Sequence, residues 1–247
     1  MIFLFKPKKI HLDCFTNRYD VFHYFPIVSS QKTFPDWWKI LPKSYDSTSS
    51  TMKSCVGFID YFKYSIGLQL WSDLLINLEK NPMPQYDWEF SDGKSEITTH
   101  PTQQFEGYVD PIENQHIKLD SPWSFSCKED LMWTTVGNIW NKEMVNKITF
   151  LNGILNFKYQ STTNINALCK YPKPGERETI YLPCGTNLLN FFPMSERPVE
   201  IHNHLVSSEE YQLFKEKNTK ISFFNKYKKI KNIVEQNESK CPFGFKK

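Results

Sequence analysis

The chain has 247 residues, of which 40% are hydrophobic and 16% aromatic, and its formal net charge is +3. This length can bury one large core, and the composition is globular, which excludes a disordered or fibrous chain. A net charge so close to zero does not indicate nucleic acid as a partner.

The first residues predict where the protein works. Residues 1–9 hold a short apolar run before their lysines, which is too short for a signal peptide or a membrane span. We therefore expect the protein to stay inside the cell that makes it and not to bind a membrane. The cysteines lack metal-ligand spacing and are predicted to be buried, reduced thiols. They are Cys14, Cys55, Cys127, Cys169, Cys184 and Cys241.

Strand patterns cover most of the chain. The apolar residues from Ile66 to Leu78 fall on even positions, which predicts one half-buried strand. A second strand over residues 86–90 meets the pair Asp92 and Gly93, which predicts a hairpin turn and an antiparallel return over residues 95–100. Further strands are predicted at residues 8–15, 55–63, 116–127, 131–140, 154–159, 164–170, 179–183, 188–192 and 199–206.

Few helices are predicted. Residues 34–41 begin near Pro35 and are closed by Pro42, which favours a helix of at most two turns. Ser207 and Glu210 have the spacing of a capping box, so a helix should start there. The apolar steps that follow, as far as Val234, predict two helical pieces separated near residues 218–219.

These elements predict a mainly β fold. Many short strands separated by Gly, Pro and Asn are typical of an antiparallel β-sandwich, here jelly-roll-like, or of a barrel. We assign residues 1–206 to this domain. Residues 207–247 are then a helical extension packed on it.

A set of polar residues near aromatic strands predicts a ligand pocket. Aromatic walls would hold the ligand and the polar groups would orient it. In the alternative interpretation, each aromatic side chain is part-buried with one polar partner and there is no pocket. The residues are Trp71, Asp73, His100, Gln103, His116 and Trp123, with Gln104 next to them.

The adjacent pair Trp37 and Trp38 predicts an interface. On a helix, neighbouring side chains point about 100° apart, so one ring belongs to the core and the other is exposed beside Lys39. An exposed Trp near lysines favours a protein interface. We therefore expect a protein partner or self-association rather than a small molecule.

The segment around His202 and His204 predicts a metal site as an alternative. Alternation puts both imidazoles on one face of a strand, with Glu200 beside them. With Glu209 they resemble the cupin HxH motif, which implies an iron-dependent oxygenase. The segment lacks the cupin glycine and a downstream histidine, so the third ligand would come from His11, His23, His100 or His116. The other interpretation is that these are ordinary surface histidines.

Two further patterns each allow a functional interpretation. His11 and Asp13 form the HxD element that non-haem iron oxygenases combine with a distal histidine. Residues 215–247 hold ten lysines against three glutamates. They predict the solvated face of a helix, with nucleic-acid contact as the alternative.

Short motifs along most of the chain carry a family resemblance. They are the Phe-Pro-Asp-Trp-Trp-Lys run at 34–39, Leu-Trp-Ser-Asp at 70–73, His-Pro at 100–101, Ser-Pro-Trp at 121–123, Thr-Asn-Ile-Asn at 163–166, Gly-Thr at 185–186 and Cys-Pro-Phe-Gly-Phe at 241–245. In these the chain resembles a family without established activity that large tailed phages of marine cyanobacteria encode. The resemblance implies a phage protein in the host cytoplasm or associated with the virion.

The sequence leads to two hypotheses about function. The first is a non-catalytic β-sandwich protein without a cofactor, which acts by binding as a virion or assembly component or on a host protein. The alternative is a cupin-like, iron-dependent oxygenase.

Overall fold

The computed structural model describes residues 8–100, 102–142, 144–219 and Asn232. Within these residues the strands, numbered in chain order, are β1 (Ile10–Thr16), β2 (Val28–Ser29), β3 (Ile66–Gln69), β4 (Leu74–Lys80), β5 (Pro84–Phe90), β6 (Ile97–Thr98), β7 (Asn114–Ser126), β8 (Trp133–Gly137), β9 (Ile148–Phe150), β10 (Gly153–Leu155), β11 (Thr162–Lys170), β12 (Arg177–Leu182), β13 (Asn187–Pro193) and β14 (Val199–Leu205). The α-helices are α1 (Tyr19–Tyr24), α2 (Asp36–Ile40), α3 (Val56–Tyr64) and α4 (Ser208–Thr219). Short 3-10 helices span Ser30–Thr33, Met52–Ser54 and Thr102–Phe105.

The strands form three sheets. The largest has the order β14-β1-β7-β11-β9, with β6 also paired to β7. The second has the order β10-β8-β13-β3-β2, and the third has the order β12-β4-β5. Most neighbours are antiparallel, whereas β1 and β14 run parallel. The predicted mainly β, sandwich-type fold is confirmed.

The core lies between the inner faces of the sheets. Phe125 of β7 meets Phe191 of β13 edge-on at 5.3 Å between ring centroids, and Phe157 stacks on Phe125 at 5.0 Å. All three rings are buried. Burying a side chain of this size stabilises the fold by about 1.5–3 kcal/mol. The aromatic residues therefore hold the two larger sheets together.

The predicted single strand over residues 66–78 is two strands. β3 belongs to the second sheet and β4 to the third, and the chain turns at residues 70–73. Leu70 and Trp71 stay buried in this corner, and the backbone N–H of Leu70 donates to the carbonyl of Thr186. Both strands bury their even-numbered residues, so the alternation continues across the corner and conceals it from the sequence.

The hairpin predicted at Asp92 and Gly93 is also wrong. β5 pairs with β4, while β6 pairs with β7 in the largest sheet. The Asp92 carboxylate accepts hydrogen bonds from the backbone N–H groups of Lys94 and Ser95. The Asp92 side chain thus stabilises a local turn by bonding to the backbone just after it. The chain leaves the third sheet at this turn.

Residues 55–63, predicted as a strand, form helix α3 instead. Phe58 and Phe62 lie four residues apart and share a helical face, which packs on Trp38 and Trp140. The same residues also form a short apolar run, which fits a buried strand as well as a helix. The sequence pattern alone therefore does not decide between the two. Helix α1 was not predicted from the sequence, whereas α2 lies where a short helix was expected.

Helix α4 begins with the predicted capping box. The Glu210 backbone N–H donates to Ser207 Oγ at 3.2 Å, and the Ser207 N–H donates to Glu210 Oε2 at 3.0 Å. Phe214 stacks on Phe15 of β1 at 4.4 Å, so α4 packs on the outer face of the largest sheet. The second helical piece and the docking of residues 239–245 fall outside the described residues.

The cysteine prediction holds in part. Cys14, Cys127 and Cys169 are buried free thiols, but Cys55 and Cys184 are exposed, because they lie in the connections before α3 and after β12. Cys241 is outside the described residues. In the part of the chain that the structure describes, no helix is long and apolar enough to cross a membrane.

Candidate functional site

Residues 30–64 form a helical cap that contains α2 and α3. Trp38 is buried in it and meets Phe62 at 5.1 Å between ring centroids. Phe34 lies 4.6 Å from Phe62, and Trp140, which follows β8, lies 5.8 Å from the same ring. The cap is therefore packed around aromatic rings and joined to the loop after β8.

A buried amide ties the cap to the second sheet. Asn190 of β13 is fully buried, and its Oδ1 accepts from Ser30 Oγ at 2.8 Å and from Asn187 Nδ2 at 2.9 Å. Its Nδ2 donates to the Tyr61 hydroxyl at 2.9 Å. Burial raises the pKa of Tyr61, so this hydroxyl stays protonated. The network fixes both ends of the cap on one strand.

A cleft of about 620 Å³ opens between the cap and the loops that follow β8 and β12. Trp37 forms part of its wall, and its indole N–H donates to the carbonyl of Trp140 at 2.8 Å. Asn187 also lines the cleft, and its buried Oδ1 accepts no hydrogen bond within the described part of the chain. The cleft thus has aromatic walls, and this oxygen is buried against Gly67 of β3 behind its surface. Exposed lysines among its lining residues are Lys32, Lys39 and Lys142.

Two exposed apolar side chains lie at this cleft. Ile40 at the end of α2 lines it and is 83% exposed. Ile139 lies between two lining residues and is 69% exposed. The cap also exposes Val56, Ile59 and Tyr64 on α3. Exposed apolar residues at a cleft are a feature of interaction sites.

The two tryptophans have different places in this arrangement. Trp38 is in the core, and Trp37 is part-buried in the wall of the cleft. Their rings meet edge to face, with centroids 5.7 Å apart and an interplanar angle of 72°. The protein interface predicted at this pair stays a prediction.

Three residues of the predicted ligand pocket, Trp71, Asp73 and Trp123, each bond to a different part of the fold. Trp71 is buried and donates its indole N–H to Ser95 Oγ at 2.7 Å. Asp73 accepts from the backbone N–H of Cys184 at 2.7 Å. Trp123 is buried on the inner side of β7 and donates to the carbonyl of Phe25 at 3.2 Å. Each of these side chains has a structural partner.

His100 and His116 are brought together, with ring centroids 5.0 Å apart. His116 is buried beneath Phe105, and its Nε2 lies 3.2 Å from Asn166 Oδ1. Burial lowers the pKa of His116, and the nearby His100 and Lys118 act in the same direction. The backbone of Gln103 belongs to the 3-10 helix beside them, but its side chain is outside the described part.

A second cluster lies on the outer face where β1 and β14 pair. Their parallel register sets His11 beside Glu200 and Asp13 beside His202. His11 Nδ1 is 3.2 Å from His202 Nε2 and 3.7 Å from Glu200 Oε2. Ligand atoms of these three side chains all lie within 4.8 Å of one another, and the described residues contain no other such group.

The ligand set predicted from the cupin motif is not the one that the structure groups. His204 lies on the same face as His202 but bonds to Asp13, with 2.9 Å between His204 Nε2 and Asp13 Oδ1, and it stacks on Phe15. Glu209 is an exposed residue in the first turn of α4. Of the four candidate third ligands, His11 is the one that joins His202. The HxD pair is divided, because Asp13 bonds to His204.

Sequence reasoning missed several residues of the cleft. Trp140 and Asn187 had no motif to mark them, and they come together with Trp37 only through the pairing of β13 with β8. The signal that was available is the concentration of aromatic residues at 34–38 and 58–62.

No protein-family model matches the chain, and a search of the curated proteins found no match.

Proposed function

We propose that the chain is a non-catalytic β-sandwich protein that acts by binding another protein through its helical cap. The cleft beside Trp37, with the exposed Ile40 at its edge, is the observation that carries this proposal. From the resemblance to cyanophage proteins, we propose a virion or assembly component, or a host protein, as the partner.

The chemistry of the cleft suggests what enters it. A volume of about 620 Å³ accommodates one or two large side chains of a partner. An apolar anchor of the partner would pack against Trp37. Lys32, an exposed lysine of the lining, favours an acidic residue beside that anchor.

The cap is suited to binding because it is already ordered. Trp38 is buried and Asn190 bonds to residues from both ends of the cap, so docking does not require these elements to fold. A preformed surface loses less conformational entropy when it binds. We therefore propose that the partner docks on the cap as it stands.

The test compares two exposed isoleucines. Ile40→Glu places a charge at the cleft, and Ile112→Glu places the same charge in a loop where Ile112 is 51% exposed. A partner captured from the cells that naturally make the chain is purified, and its Kd is measured for each variant. We expect Ile40→Glu to weaken binding at least tenfold, the effect of about 1.4 kcal/mol.

Two controls keep the result interpretable. Ile112→Glu should bind like the wild type, and both variants should unfold at the wild-type temperature because both side chains are exposed. Equal weakening by the two variants, or none by Ile40→Glu, would contradict the proposal. The partner could instead be another copy of this chain. Light scattering on the purified chain tests this by measuring its mass in solution.

A further inference from the structure

We propose that His11, Glu200 and His202 bind a divalent first-row transition-metal ion such as Zn²⁺ on the outer face of the largest sheet. The site lies on β1 and β14, away from the helical cap, and is independent of protein binding there. It also differs from the cupin-like set, because it uses His11 and Glu200 in place of His204 and Glu209.

The spacing of the three side chains fits an ion. In a tetrahedral site with Zn–N distances of about 2.0–2.1 Å, two ligand nitrogens lie roughly 3.3 Å apart. His11 Nδ1 and His202 Nε2 are 3.2 Å apart, and Glu200 Oε2 is 3.7 Å from the same nitrogen of His11. The two imidazole planes are 14° apart, so both rings would have to turn to direct their nitrogens, with the Glu200 carboxylate, at one ion.

The ligand types also match this class of metal. Neutral imidazole suits Zn²⁺, Cu²⁺, Fe²⁺ and Ni²⁺, and one carboxylate adds charge that partly offsets the ion. Three protein ligands leave a fourth position for water. The side chain of His11 is 55% exposed, so the ion can reach the site directly from solvent.

Two contacts compete with the metal. The first is the hydrogen bond between His11 Nδ1 and His202 Nε2, whose proton the ion would displace. In the second, Lys9 Nζ lies 3.4 Å from Glu200 Oε2, and this lysine would have to move away when the ion binds. Both side chains are more than a third exposed, and exposed ion pairs of this kind contribute little to stability. Lys9 is long and can turn into solvent.

The position of the site gives it a structural consequence. His11 and His202 are 191 residues apart in sequence, and β14 is an edge strand held by its parallel pairing with β1. An ion bound across the two strands joins the first strand of the sandwich to the last. Because the site exists only in the folded chain, binding should raise the unfolding temperature.

The experiment measures Zn²⁺ binding by calorimetry on the full chain without an affinity tag. We expect one equivalent of Zn²⁺ per chain and at least tenfold weaker binding in His11→Ala and in His202→Ala. Glu200→Gln should also weaken binding. His204→Ala is the matched control, because it removes an imidazole from the same face of the same strand and should leave binding unchanged. Co²⁺ provides a second readout through the visible absorption of its bound form.

Three outcomes would overturn the proposal. The first is no stoichiometric binding, and the second is binding that His11→Ala leaves intact. The third is loss of binding in His204→Ala to the same extent as in His202→Ala, which would assign the ion to the two histidines of β14 alone. Thermal unfolding without metal identifies any variant that fails to fold, and for such a variant Asn replaces Ala at the same position.

Discussion

Asp92 shows how one side chain joins distant parts of the chain. Its carboxylate accepts from Ser95 Oγ and Arg18 Nη1, both at 2.7 Å, and from the backbone N–H groups of Lys94 and Ser95 at 3.0 Å. Burial alone would raise the pKa of Asp92, but these hydrogen bonds outweigh it and lower the pKa to about 2. Asp92 therefore joins the turn after β5 to the start of α1.

This arrangement predicts an acid-sensitive contribution to stability. Because the folded pKa is lower than that of an unfolded aspartate, about 3.9, the contribution is complete above pH 4. It is lost as pH falls from about 4 to about 2. With solvent screening it amounts to about 1–2 kcal/mol. Asp92→Asn should lower the free energy of unfolding by this amount at pH 7 and by much less at pH 2, as measured by urea unfolding.

The control for this prediction is Asp110→Asn. Asp110 is exposed and its carboxylate accepts from the backbone N–H of Ile112. A pH profile for Asp92→Asn that runs parallel to the wild type between pH 2 and 4 would show that the Asp92 hydrogen bonds do not stabilise the fold.

At the scale of elements, the helical cap depends on the amide of Asn190. Asn190→Ala leaves Ser30 Oγ and Asn187 Nδ2 without their acceptor in a buried site. Each buried group that loses its partner costs about 1–3 kcal/mol. We expect a loss of about 2–4 kcal/mol in the free energy of unfolding, together with faster hydrogen exchange in residues 30–64.

The matched control is Asn164→Ala on β11, where Asn164 is exposed. Asn164→Ala should change the free energy of unfolding by no more than about 0.5 kcal/mol. Hydrogen exchange in residues 30–64 should stay as in the wild type. If exchange in the cap is equal in the Asn190 variant and the wild type, the cap is held by its aromatic packing alone.

The capping box gives a second prediction at this scale. Hydrogen bonds from the Ser207 backbone and hydroxyl lower the pKa of Glu210, so its carboxylate is charged beside the helix N-terminus. Ser207→Ala should destabilise α4 by about 1 kcal/mol and speed its hydrogen exchange. Gln212→Ala, at an exposed position of the same helix, should not. If the two variants have the same stability and the same hydrogen exchange in α4, Ser207 does not act as a cap.

For the whole molecule, the features that could be predicted from the sequence are those set by neighbouring residues. The mainly β fold follows from alternation, and the starts of α2 and α4 follow from Pro35 and from Ser207 with Glu210. The pairing of the strands does not follow, since β1 and β14 are neighbours although nearly the whole chain separates them. The contact of His11 with His202 depends on that long-range pairing, and the contact of Trp37 with Trp140 depends on where the helical cap packs; neither could be predicted from spacing.

We propose above that a partner protein docks on the helical cap beside Trp37. The most direct measurement places a photo-reactive amino acid at position 40, and in a second sample at position 112, and maps the adducts formed in the cells that naturally make the chain. The proposal predicts one recurrent protein crosslinked at position 40 and absent at position 112, whose purified form binds the wild type but not Ile40→Glu. Equal adducts at both positions, or none at position 40, would contradict it.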